Sequence, residues 1–249
     1  LRKKLSVAKT QRSGLSNTVI EFPTANGEFE KFQVWENSNF APELQQKYPN
    51  IRAYVGRSIS NKTTTINFSL SPRGIQTMIL KADNNSEFIE PASREGELYI
   101  LFDSKTRVSE KLSFVCKTID KKINQDVLNR TQLTSRANNQ SYKTLRLALS
   151  CTGEYGAYFG GKEAALAAMN ATMTRVNGIF EKDLAVHLNI IANNDLVIYT
   201  NANSDPYSNA STGSEGDWNS ELQNNLTNVL GNEVYDIGHL FGASGGGGN

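Results

Sequence analysis

Between residues 142 and 191 the chain permits few folds. Leu145, Leu147 and Leu149 alternate as one face of a strand does. After Gly160-Gly161, the residues Ala165, Met169, Met173, Val176 and Phe180 recur at helical spacing for about five turns. Leu184 to Ile191 then reads as a strand again. Strand, long helix and strand in that order imply a right-handed crossover. Asp195 to Thr200 is expected to add a third strand after an Asn193-Asn194 turn. Trp218, Leu222, Leu226 and Val229 mark a second amphipathic helix, with Ser214 or Asp217 as N-cap and Gly231 just past its end. Val234 to Phe241 supplies a fourth strand. The predicted order is β-α-β-β-α-β around a mixed, twisted sheet, in an α+β chain. The methionines at helical spacing read as core fillers.

Residues before about 120 follow a different rule. Short alternating runs recur: Glu28 to Trp35, Arg52 to Val55, Thr64 to Leu70, Ile75 to Leu80 and Glu97 to Phe102. Ser71-Pro72-Arg73-Gly74 and Ala82-Asp83-Asn84-Asn85 break them as hairpin turns do. Pro42 to Tyr48 is a short helical candidate, with Pro at its first turn and Pro49 after it. Lys121 to Gln140 is polar with little to bury, the composition of an exposed, protease-sensitive connection. We therefore expect a β-rich unit over 1–120, an exposed linker over 121–141 and a second unit over 142–249.

Charge separates the same halves. Residues 1–141 carry 21 Lys+Arg against 14 Asp+Glu, and residues 142–249 carry 5 against 11, or +7 and −6. Opposite signs in neighbouring units favour surfaces that face each other. The basic residues are scattered rather than interleaved with aromatics, so nucleic acid is not an expected partner. No run of eighteen apolar residues exists to span a membrane. The chain starts at Leu1 without an apolar signal core, which fits an exported protein with its signal removed. Its four final glycines and Asn249 suggest a cut rather than a natural end.

The stretch Asn232-Glu233-Val234-Tyr235-Asp236-Ile237-Gly238-His239-Leu240-Phe241-Gly242 carries the functional signal. It is no H-E-x-x-H zinc helix: Tyr235 stands four residues before His239, and the chain holds only His187 and His239. His239 reads instead as a strand histidine with a local partner, and His187 as a satisfied sheet histidine. Gly245 to Gly248 opens no helix and so makes a poor phosphate cradle. No G-x-S-x-G elbow is present for a serine hydrolase.

Trp218 on its helix, then Tyr235 to Gly242, then the glycine run, resemble the reprolysin or adamalysin branch of the metzincin zinc endopeptidases. There a tryptophan helix is followed by a His-Asp-x-Ala-Gln-Leu-Leu-Thr-Gly strand and a glycine-rich turn, with the zinc helix further on. Leu145 to Tyr155 is similar to the first strand of bacterial reprolysin-like enzymes. Phe40-Ala41-Pro42-Glu43-Leu44 followed by Tyr48 to Gly56 resembles their propeptide. The resemblance implies a proenzyme fragment. A prodomain over 1–120 would dock on the N-terminal part of a secreted or cell-surface catalytic domain, with protein or peptide substrates. The parent would use zinc-activated water, while this chain holds no catalytic residue and no zinc. Calcium binding in relatives implicates Asp236, although Arg146 stands where a first-strand acid would be. Cys116 is the inhibitory switch candidate, its thiolate suited to a fourth zinc position. A disulfide to Cys151 or an inert buried thiol are the other readings of Cys116. Activation cleavage is expected between Arg130 and Ser141, with Arg136 and Gln140 inside that region. The rival is a non-enzymatic exported binding or adhesion module.

Overall fold

A computed structural model of the chain describes residues 1–10, 14–82, 85–93, 97–105 and 141–243. The chain is α+β, with two sheets among the described residues. Seven antiparallel strands pair in chain order: β1 (Val19–Pro23), β2 (Phe29–Glu36), β3 (Arg52–Ser58), β4 (Thr65–Ser71), β5 (Gly74–Leu80), β6 (Ser86–Pro91) and β7 (Tyr99–Asp103). β1 and β6 were not expected from sequence. Val19–Pro23 is only five residues long and ends in Pro, and Ser86–Pro91 alternates over barely three pairs. The short helix Pro42–Lys47 sits between β2 and β3 as expected.

β4 shows why the alternating pattern was only half informative. Ile66, Phe68 and Leu70 join Phe22, Phe32 and Ile79 in one apolar cluster. Asn67, Ser69 and Ser71 are buried as well. Alternation normally marks a polar face turned to water. Here that face lies under the long helix Lys162–Leu184, where Gly178 lets the Asn67 carboxamide approach so closely that a Cβ would stand 2.6 Å from it.

The second sheet has three strands in the order β10 (Ile237–Phe241), β8 (Lys143–Cys151), β9 (Val186–Ile190). Both pairings are parallel, so among the described residues the expected mixed sheet is parallel throughout. Each connection passes through a helix, Lys162–Leu184 and then Trp218–Val229, and returns to the same end. A helix, Gly153–Phe159, follows β8 and was not expected.

The predicted third strand is a correction: Asn194–Val197 form a 3-10 turn, and only Ile198 bridges Cys151 of β8. The Asn194 side chain takes the place of strand backbone there. Its Oδ1 accepts from Leu149 N at 2.7 Å and its Nδ2 donates to Leu149 O at 2.9 Å. Once an asparagine side chain satisfies the β8 edge, the backbone has no bond left to gain by running alongside.

The two halves share a core. Phe40, Leu44 and Ile51 from the first half pack with Leu147, Leu149, Met169, Leu188 and Ile190 from the second. Among the described residues no helix is long and apolar enough to cross a membrane.

The helix Gly153–Phe159 lies against the loop after Ile198, and a Cβ at Gly156 would stand 2.0 Å from the Tyr199 carbonyl oxygen. Gly156→Ala is therefore expected to destabilise the chain by about 3 kcal/mol, since backbone must move to admit it. Urea-unfolding midpoints at matched m-values measure this, and a change within about 0.5 kcal/mol would contradict the packing.

Candidate functional site

Three clusters hold the residues that chemistry could use. The first is where β10 leaves the turn Asn232–Val234. Asp236 N donates to Arg146 O at 2.9 Å, and Arg146 N donates to Asp236 Oδ2 at 2.7 Å. The guanidinium closes the ring: its NH2 group reaches Asp236 Oδ1 at 2.7 Å and its NH1 group the Glu233 carbonyl at 2.6 Å. Those bonds hold the Asp236 carboxyl down at about 2. The calcium candidate Asp236 is thus an anchor for β10 on β8. A cation there would have to displace an arginine from both carboxylate oxygens.

Further along β10, His239 lies opposite Leu149 and is exposed, its ring edge-on to Phe241 at 5.3 Å between centroids. The neighbouring protein still lowers its pKa by partial desolvation. No hydrogen bond joins its ring to another described residue. Trp218 donates Nε1 to the Ser208 carbonyl at 2.8 Å and lays its ring over Gly242, where a Cβ would stand 3.0 Å from it. The tryptophan helix therefore covers the exit of β10.

His187 occupies the second cluster. It is buried, with Nδ1 2.5 Å from Glu181 Oε1 and Nε2 3.2 Å from the Ser38 carbonyl, so it is the satisfied sheet histidine expected. Burial pushes the Glu181 carboxyl up, but bonds from His187, Asn37 and Tyr142 outweigh it and leave the pKa below the usual glutamate value. Beside it a cleft of about 530 Å³ opens at the seam of the halves, lined in part by Asn37, Phe40, Tyr142 and His187.

The third cluster was missed from sequence. Asn170, Thr174 and Asn177 lie on one face of the long helix and are nearly fully buried. Asn39 projects into them from the first half. Asn39 Nδ2 donates to Thr174 Oγ1 at 2.8 Å, Asn170 Oδ1 at 3.0 Å and Asn170 O at 3.2 Å, and Asn39 Oδ1 accepts from Asn177 Nδ2 at 2.9 Å. The signal available was the spacing i, i+4, i+7 of short polar side chains. Between Met169 and Phe180 it reads as a solvent stripe unless a partner is known.

A catalytic zinc does not fit these groups. Zinc needs ligand nitrogens about 2 Å from the metal. His187 pairs with Thr144 and His239 with Leu149, on opposite sides of β8, which sets them on the order of 20 Å apart at strand spacings. Among the described residues no group of three His, Cys, Asp or Glu side chains gathers to hold a metal. Cys151 is a free thiol, completely buried, and burial pushes its pKa up to about 12. Cys116, Arg130, Arg136, Gln140 and Gly245 to Gly248 lie outside the described residues.

Residues 141–249 match the model of metallo-peptidase family M12B, reprolysin-like. That family is zinc-dependent. No curated protein matches the chain.

A depressed carboxyl stabilises the fold above its ordinary pKa, and that contribution is lost as pH falls through the folded value. Glu181→Gln should therefore lower stability at pH 7 by about 1–3 kcal/mol, the cost of a lost charged hydrogen bond. It should also flatten the acid-side loss of stability. Urea midpoints at pH 7 and pH 3 check both, and an identical pH dependence in the two proteins would refute the role of Glu181.

Proposed function

We propose that this chain, whose residues 141–249 are a reprolysin-like metzincin segment, is the prodomain and N-terminal catalytic portion of a secreted zinc endopeptidase. The family match is the observation that carries the reading. The seating of Asn39 and Phe40 in the same segment supports a prodomain that docks on its own catalytic unit. In this reading the zinc ligands and the general base come from residues outside this stretch, since the histidines here cannot meet. The parent acts on protein or peptide substrates.

The second half then has a scaffolding task. Arg146 and Asp236 fix β10 on β8, and Trp218 closes over its exit at Gly242. Residues 121–141 carry the activation cut, between Arg130 and Ser141 and including Arg136 and Gln140. Latency falls to Cys116. The only other cysteine, Cys151, is sealed in the core with its thiol protonated, which leaves it poorly placed for disulfide exchange.

The parent protein should show endoproteolysis that a zinc chelator abolishes, and that rises after cutting within 130–141. Absence of chelator-sensitive cleavage in the cut parent would leave the exported binding or adhesion module as the better reading. In the uncut parent, Cys116→Ser should raise basal activity by about tenfold or more, a loss of about 1.4 kcal/mol or more from the inhibited state, because the thiolate is the zinc ligand and a serine hydroxyl is a poor substitute. Unchanged latency would assign Cys116 an inert or disulfide role.

A further inference from the structure

The contact between the halves has the form of peptide recognition. Ser38 to Ala41 runs parallel to β9 and adds backbone bonds to its outer edge: Ala41 N donates to Ile190 O at 2.8 Å, and Ile190 N donates to Asn39 O at 2.6 Å. Two residues back along β9, at Leu188, the edge is filled by a side chain instead. Asn177 Oδ1 accepts from Leu188 N at 2.8 Å, and its Nδ2 donates to Leu188 O at 2.9 Å. Backbone pairing gives affinity in this mode of binding, and side-chain pockets give selectivity.

Two pockets are present. One is the amide cluster around Asn39, which is 1% exposed. Thr174 Oγ1 donates to Asn170 O at 2.7 Å, so its oxygen is free to accept from Asn39. The pocket therefore offers acceptors to the NH2 group of a carboxamide and one donor to its oxygen. A carboxylate of the same size would face Asn170 oxygens, and a leucine would take the donor from Asn170 Oδ1 and leave Asn177 Nδ2 with only its bond to the Leu188 carbonyl. The second pocket takes Phe40, buried with Leu188, Ile190 and Met169.

We propose that the β9 edge and the amide pocket of the long helix form a peptide-binding site selective for an extended segment with a carboxamide followed by an aromatic residue. Its occupant is the Asn39-Phe40 segment of the first half. That segment holds the two halves together as a noncovalent complex when the chain between them is cut. Its biological use rests on the reading above that such a cut occurs; the contact itself does not.

The test inserts a specific protease site between Gln140 and Ser141 of the 249-residue chain and cuts it. The wild-type pieces are expected to co-elute on size exclusion at micromolar concentration, with the Ala41 and Ile190 amides still protected from hydrogen exchange. Asn39→Asp should weaken the cut complex at least about a hundredfold, because it buries an unpaired charge. Circular dichroism of its uncut form reports whether that variant folds. Separation of the wild-type pieces overturns the proposal. So does co-elution with Ile190 exchanging freely, or an Asp variant that folds and holds as tightly as the wild type. Should Asn39→Asp fail to fold even uncut, the exchange pattern of the wild type decides. No readout uses metal or proteolysis. Failure here leaves the endopeptidase reading standing, and loss of chelator-sensitive cleavage in the parent would leave this contact standing.

Discussion

A buried polar group must find partners or cost several kcal/mol, and three amides and a hydroxyl meet where Asn39 enters the long helix. Asn39, Asn170, Thr174 and Asn177 satisfy one another and the edge of β9. None can be met by water, because each is almost fully buried. Their geometry fixes the register of Ser38 to Ala41 against β9, and that register sends Phe40 and Leu44 into the shared core. An apolar contact alone would tolerate sliding; a closed set of hydrogen bonds does not. The position of the seven-stranded sheet over the helix is then settled, with Asn67 against Gly178 and Arg175 reaching Glu90 at 2.8 Å.

Charge contributes less to this seam than the +7 and −6 halves suggest. The Lys47–Asp195 pair follows the expected polarity, basic first half against acidic second, but only its Asp195 end is buried, and the more than half exposed Lys47 is screened by solvent. Arg175 and Glu90 pair in the opposite sense. What joins the halves at short range is amide chemistry and apolar burial. The net asymmetry acts at longer range, on encounter rather than on the fit.

The periodic signals in the sequence located most elements well. The long helix spans Lys162–Leu184, around the apolar repeat that announced it, and Trp218–Val229 ends before Gly231 as its capping pattern required. Two of the errors have a common source. Asparagine is read from sequence as a turn or surface residue, because its short side chain competes with backbone for hydrogen bonds. Here that competition happens inside the protein. Asn194 replaces a strand on β8, Asn177 replaces one on β9, and Asn39 replaces water on the helix. A predicted strand was lost and a binding cluster overlooked for one reason, since partners distant in sequence decide whether an amide is buried. His187 was legible in type, as a satisfied histidine, but its partners Glu181 and Ser38 come from two other elements.

The residues that resemble a metalloprotease segment behave in this structure as framework. Asp236, the calcium candidate, is paired with Arg146 on the neighbouring strand. His239 has no hydrogen-bond partner for its ring among the described residues and lies far across β8 from His187. Cys151 is closed into the core beside Leu149, where burial suppresses the thiolate that metal binding or disulfide exchange requires. A parallel sheet puts successive strands in register while keeping side chains on separate strands at fixed, wide spacings. Such a sheet can orient a site supplied from elsewhere far more readily than it can assemble one from residues this far apart. The family match and the absence of a metal-ligand set among the described residues are therefore compatible, because the strands that resemble the family here serve as framework.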